Sequence, residues 1–193
     1  MTTTGPLRAD AVRNRALILD ATRELVRVHG PDVGMDQIAR AAGVAVGTLY
    51  RHFPTKADLV GAVVSEFFDV VADDAEATLA RVLAGEPPAG ELKAFLSRVL
   101  EAGASNQVAK TAAKELAASG ENPEADARIP VAVNGIIAAG RSTGDLRDDL
   151  TVLDIYLLAG TAPSEASPTV RERWLSLVTH GVFARGATAA PGS

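Results

Sequence analysis

Between Met35 and Lys56 the chain reads MDQIARAAGVAVGTLYRHFPTK, and its two interruptions constrain the fold more than anything else in the sequence. Met35, Ile38, Ala39 and Ala42 recur at spacings of three and four, the period of one helix face. Gly43 then supplies a C-terminal stop, and after Val44 a second short segment runs from Val46 to Phe53. Leu49 and Phe53, four apart, point inward together. Pro54 has no amide hydrogen and disfavours helix in the residue before it, so the segment ends there. The first stretch has room for only about two turns. Two short helices joined by a glycine-containing turn form a helix-turn-helix, in which the first braces a second that can enter a DNA major groove.

The flanking sequence extends the helical pattern. In AVRNRALILDATRELVRVHG, Ile18, Ala21, Leu25 and Val28 share one face, Arg13, Arg15, Arg23 and Arg27 mostly fall elsewhere, and Gly30-Pro31 ends the helix. Thr55 is a good N-cap for the next helix, with Asp58 three residues on completing a capping-box-like pair. That helix starts at Lys56 and carries Leu59, Val60, Val63, Val64, Phe67, Phe68 and Val71, a face wide enough to bury on two sides, as far as Leu83 before GEPPAG breaks the chain. Further helices are predicted over 91–105, 107–118 and 124–142, the last kinked or restarted at Pro130. Thr151 with Asp154 opens a helix over 151–162, and Ser167-Pro168 opens another over 168–185. Hydrophobic residues make up 47% of the chain and aromatics 4%, so the interior is built mainly of Ala, Val and Leu. That composition suits closely packed helices, and the expected fold class is all-α.

Several function classes drop out. The chain has no cysteine, hence no disulfide framework, thiolate nucleophile or Cys-ligated zinc. The N-terminal MTTTGPLRAD lacks a basic region followed by an apolar run, no window approaches a membrane span, and the expected location is cytoplasmic with no membrane partner. His29, His52 and His180 are scattered without metal-ligand spacing, no glycine-rich phosphate loop is present, and the adjacent acid pairs Asp73-Asp74 and Asp148-Asp149 diverge on a helix. No enzyme, metal or cofactor is expected.

Charge is uneven. The net value is −5 over the whole chain, yet residues 1–60 hold eight Arg or Lys against six acids, leaving +2 there and −7 beyond. The first sixty residues are therefore the ones suited to meet an anion. On a helical wheel centred on Leu49, Gly47, Tyr50 and Arg51 fall on the far side, with Thr48 and His52 on one flank. Gly47 lets a backbone approach closely, Tyr50 offers ring and hydroxyl, and Thr48, His52 and Lys56 suit phosphate oxygens. Lys56 also stands at a helix N-terminus, where amide dipoles favour an anion. Taken singly, each of these residues is as easily an ordinary surface group.

With those residues in hand, IARAAGVAVGTLYRHFPTKADLV resembles the DNA-binding module of the TetR family of one-component transcriptional regulators, and NRALILDATRELVRVHG resembles its first helix. The likeness covers 12–62 and rests on the G-T-L-Y-R-H-F-x-x-K-x-x-L run and the upstream I-A-x-x-A-G-V. It implies a three-helix DNA-binding domain over 11–57, preceded by a flexible arm over 1–10. A helical ligand-binding and dimerisation domain would follow over 58–185, then a disordered tail over 186–193, about nine helices in all. It further implies a homodimeric repressor on a pseudo-palindromic double-stranded operator, released by a small-molecule effector. Matching positions put Val46, Gly47 and Tyr50 at or near base edges, and Thr48, Tyr50, His52 and Lys56 on phosphates. Arg51 faces outward, with base, phosphate and solvent all open to it. Two positions depart from the family, which often has a hydroxyl residue where Gly34 and Ala45 stand. Loss of a good cap costs about 1 kcal/mol, less for glycine than for alanine.

The last two predicted helices carry more apolar surface than one helix pair uses, including Ile155, Leu158, Trp174, Leu177 and Val178. Pairing with a second copy in a four-helix bundle would bury it, as the resemblance also implies; closing the protomer's own core is the competing use. An effector pocket is expected among the middle helices, around Phe67, Phe95, Val99, Asn134 and Ile137, although each apolar residue there also suits plain core. The alternative to a regulator is a helical ligand-binding or interaction protein whose helix-turn-helix does not bind DNA.

Overall fold

The structure is a computed structural model that describes residues 5–30, 32–104, 127–163 and 166–182. Among them lie eight α-helices and no β-strand: α1 (Gly5–His29), α2 (Met35–Ala41), α3 (Val46–His52), α4 (Lys56–Leu83), α5 (Pro88–Ala104), α6 (Arg128–Thr143), α7 (Val152–Thr161) and α8 (Pro168–Val182). The helix expected over 107–118 lies outside the described residues. The chain divides into two compact units, with the boundary between Phe68 and Asp69, inside α4.

In the first unit, Ile18, Leu19 and Ala21 of α1 pack with Met35, Ile38, Ala39 and Ala42, with Leu49 and Phe53, and with Leu59 and Val63 of α4. The buried stripe of α1 passes through Ile18, Leu19, Thr22 and Val26, and Val28, expected on the inner face, is 55% exposed. Two residues on from Val26 is about 200° around the helix, so a stripe that buries Val26 turns Val28 to solvent. Thr22 is tolerated inside because its hydroxyl donates to Ile18 O at 2.7 Å. Helix α1 begins at Gly5, so residues 5–10, expected as a flexible arm, are helical.

The second unit buries Leu92, Phe95, Leu96 and Leu100 of α5, Val133, Ile136 and Ile137 of α6, Val152 and Ile155 of α7, and Leu175 of α8. Arginines hold its share of α4 to the neighbouring helices: Arg98 pairs with Asp74 (3.0 Å), Arg81 with Glu91 (2.7 Å), and Arg128 with Asp73 (2.5 Å) and Glu76 (2.7 Å). Arg81 and Arg98 both donate to the Thr78 hydroxyl, each at 2.9 Å, and that hydroxyl donates in turn to Asp74 O. Pro130 sits in the first turn of α6, where an amide hydrogen has no intrahelical partner in any case; Val131 N–H donates back to Ala127 O. The reciprocal cap expected at Thr151 is present: Thr151 N–H donates to Asp154 Oδ2 at 2.8 Å and Asp154 N–H to the Thr151 hydroxyl at 3.3 Å.

Candidate nucleic-acid interface

The turn between α2 and α3 is set by Gly43, whose φ of +67° lies in the left-handed region that glycine enters without Cβ strain. Gly43 N–H donates to Arg40 O at 3.2 Å and Val44 N–H to Ala39 O at 3.0 Å, the paired bonds of a Schellman motif. Those bonds satisfy the last carbonyls of α2 and aim the chain straight into α3. Neither short helix has a side-chain cap at its start. At Gly34, Gln37 supplies half of a capping box, its Oε1 accepting from Gly34 N–H at 3.0 Å. At Ala45 only the backbone closes the turn, with Thr48 N–H donating to Ala45 O at 2.8 Å.

Helix α3 is held by Leu49, which is fully buried, and by Phe53 just beyond its end, where φ of −137° takes the chain out of helix. Everything on the opposite side reaches solvent. Val46 is 40% and Tyr50 45% exposed, Gly47 and Arg51 are exposed, and Thr48 and His52 are half-buried on the flank. Lys56, exposed, opens α4 beside a cap in which Thr55 N–H donates to Asp58 Oδ2 at 3.0 Å and Asp58 N–H to the Thr55 hydroxyl at 3.1 Å. Seven residues named from the sequence are thus gathered on α3 and the first turn of α4.

The arginines of α1 divide into two sets. Toward its C-terminal end Arg23 reaches Glu66 at 2.7 Å and also bonds Asp20, while Arg27 holds Glu24 at 2.6 Å. Burial alone would lower the pKa of Arg23, but hydrogen bonds to Glu66 and Asp20 outweigh it and raise it. The hydrogen bond from Arg27 likewise holds the Glu24 carboxyl below its ordinary value. Earlier in the helix, Arg15 places its guanidinium carbon 5.2 Å from the centroid of the Phe53 ring, which in turn stands 6.3 Å from the His52 ring. Residues so far apart in sequence show no periodic signal that would have joined them.

A solved TetR transcription regulatory protein from Mycobacterium vanbaalenii is 33% identical to this chain, with 93% of this chain and 100% of that one aligned at a TM-score of 0.62. The chain belongs to the TetR family of transcriptional regulators. The family described as "Bacterial regulatory proteins, tetR family" matches residues 18–63 of this TetR-family protein, a span containing α2, α3 and the start of α4. The TetR transcriptional regulator SCO0520 from Streptomyces coelicolor shares 29% identity with it, over 89% of this chain and 99% of that one, at a TM-score of 0.60. An HTH-type transcriptional regulator of Staphylococcus aureus is 37% identical over 65 residues, 33% of this chain and 35% of that protein. The chain thus spans about a third of the length of the curated relatives it matches. The matched span takes in all of α3, including its exposed side.

The other residues named from the sequence lie as follows. Phe95 and Ile137 are each 2% exposed in the second unit's core, Val99 is half-buried, and Asn134 faces solvent. Phe67 belongs to the first unit, edge-on to Phe68 with centroids 5.7 Å apart. Ile155 is covered by its own protomer at 6% exposure, Leu158, Trp174 and Val178 are half-buried, and Leu177 is 56% exposed. Leu158, Leu177 and Val178, with Leu150 and Leu157, line a groove of about 400 Å³ edged by Arg147, Asp149 and Asp154. No helix among the described residues is long and apolar enough to cross a membrane.

Proposed function

We propose that this TetR-family protein is a cytoplasmic homodimeric repressor that binds a pseudo-palindromic operator through α3 and lets go when a small molecule occupies its second unit. The observation that carries the DNA half is the two-sidedness of α3: Leu49 is wholly buried while Val46, Gly47, Tyr50 and Arg51 face solvent. Val46 and Gly47 at the helix start suit base edges, with only apolar contact available to Val46. Thr48, Tyr50, His52 and Lys56 suit the phosphates on either side.

Self-association is supported by the apolar groove between α7 and α8. Leu157 and Leu177 there are 49% and 56% exposed on neighbouring helices, more apolar surface than a lone protomer has use for. A two-fold pair would present two copies of α3 to half-sites about one helical turn apart. The effector is proposed to enter among α5 and α6, around Phe95, Val99 and Ile137, and to select a state in which the two α3 helices no longer match the operator.

The test is a fluorescence titration against DNA flanking the protein's own gene, at several salt concentrations. Tight, sequence-selective binding that weakens with salt is expected, through release of counterions from the phosphates. If Tyr50→Ala and Lys56→Ala leave that binding untouched, α3 is not the recognition helix.

A further inference from the structure

Three arginines of the first unit are occupied. Arg23 holds Glu66 at 2.7 Å, Arg27 holds Glu24 at 2.6 Å, and Arg40 donates to Asp36 O at 3.3 Å. Arg15 differs from these three: it is exposed, no carboxylate among the described residues lies within ion-pair distance of it, and its guanidinium stands over the ring of Phe53. That ring is itself fixed, 3% exposed, in the core beneath α3. A cation–π contact restrains where a guanidinium sits while leaving its N–H donors, which lie around the rim of the group, unspent. The position is also specific. Phe53 directly follows α3, with His52 on one side at 6.3 Å between ring centroids, and Lys56 opens α4 three residues on. Arg13, also exposed and two residues earlier on α1, lies about 200° around the helix from Arg15.

We propose that Arg15 is a DNA-backbone contact, a guanidinium fork held by Phe53 at the C-terminal end of α3, so that the phosphate-binding surface runs from Lys56 across His52 onto α1. The inference rests on the reading of α3 as the DNA-binding helix. It adds a residue that lies on a different helix from the motif, and assigns it the sequence-independent part of binding. Desolvating a cation is cheaper when it is already partly shielded by an aromatic face, and a pre-positioned fork loses less freedom on meeting a phosphate than a free lysine does.

The experiment is a salt titration of binding to two labelled duplexes, one from upstream of the protein's own gene and one of arbitrary sequence, with Arg15→Ala, Arg15→Lys, Arg13→Ala and Lys56→Ala beside the unsubstituted protein. Removing one phosphate contact weakens binding to both duplexes alike and flattens the logarithmic salt dependence by about 1 per subunit. Arg15→Ala and Lys56→Ala are each expected to do so, Arg13→Ala to have a markedly smaller effect, and Arg15→Lys to keep the slope while binding more weakly. Lost packing against Phe53 would lower the melting temperature without altering the salt slope, so the slope separates contact from support. Should Arg15→Ala fail to fold, Arg15→Lys decides: binding to both duplexes as tight as that of the unsubstituted protein overturns the proposal. Equal losses for Arg13→Ala and Arg15→Ala also overturn it, because general charge would then suffice. If Lys56→Ala weakens binding and Arg15→Ala does not, Arg15 is excluded and the α3 reading stands. If the unsubstituted protein binds neither duplex at low salt, the α3 reading falls and this one with it.

Discussion

Gly47 offers a test in which fold and function respond with opposite signs. It lies in α3 with ordinary helical backbone, since only Gly30, Gly43, Gly85 and Gly144 have positive φ among the described residues. A Cβ built there meets nothing within 4 Å. The fold therefore has no steric reason to keep glycine at this site, and replacing it by alanine removes a conformational-entropy penalty of about 0.5–1 kcal/mol. For a chain of this size that raises the melting temperature by about 1–4 °C. On DNA the sign reverses. A methyl group forced into a close-packed surface costs about 1–3 kcal/mol, so Gly47→Ala should weaken operator binding about five- to 150-fold per half-site. The assay is a melting curve and a fluorescence titration on the same preparation. Tighter or unchanged binding by a stabilised Gly47→Ala protein would refute the claim that DNA approaches the backbone here, and a destabilised protein would refute the reading of α3 as free on that side.

Other outcomes follow from the same structure. Gly140→Ala places a methyl against the Leu146 side chain, which is 1% exposed and has nowhere to swing, so unfolding should become easier by about 1–3 kcal/mol as read from denaturant midpoints. Leu177→Glu puts a charge into the groove between α7 and α8, and on the proposed self-association sedimentation should show the unsubstituted protein as a dimer and the variant as a monomer. The hydrogen bond from Arg128 holds the Glu76 carboxyl below its ordinary value of 4.5. A depressed carboxylate contributes stability that is present above its unfolded pKa and lost as pH falls through the folded one. The melting temperature should therefore drop below about pH 4.5, and Glu76→Gln should lose part of that dependence while melting lower at neutral pH.

The helix-turn-helix was legible because its determinants are local. Gly43, Pro54 and the Thr55–Asp58 pair each act within five residues, and the helices begin and stop where those residues require. Burial follows the sequence pattern at Met35, Ile38, Leu49 and Phe53, where period and stop signals agree. It departs from the pattern at Val28, because a wide apolar face leaves the angle of the buried stripe to the neighbours; Thr22 and Val26 are inside instead. Arg15 on Phe53, and the arginine clamps on Asp73, Asp74 and Glu76, join positions too far apart for any sequence period to link. The missing hydroxyl at Gly34 matters less than the sequence suggests, since Gln37 reaches back to the amide.

The stops on either side of α3 also limit how much it can spell. Gly43 and Ala45 keep it from growing backwards, and Phe53 and Pro54 keep it from growing forwards, which leaves seven residues. Seven residues rise about 10 Å, roughly the length of three base-pair steps. A word of three letters recurs throughout any genome that presents about a million or more competing sites. A vocabulary that small carries meaning only when two such words stand at a fixed distance, so for the homodimer proposed above the spacing between helices, more than the letters under either one, is what an operator would have to encode.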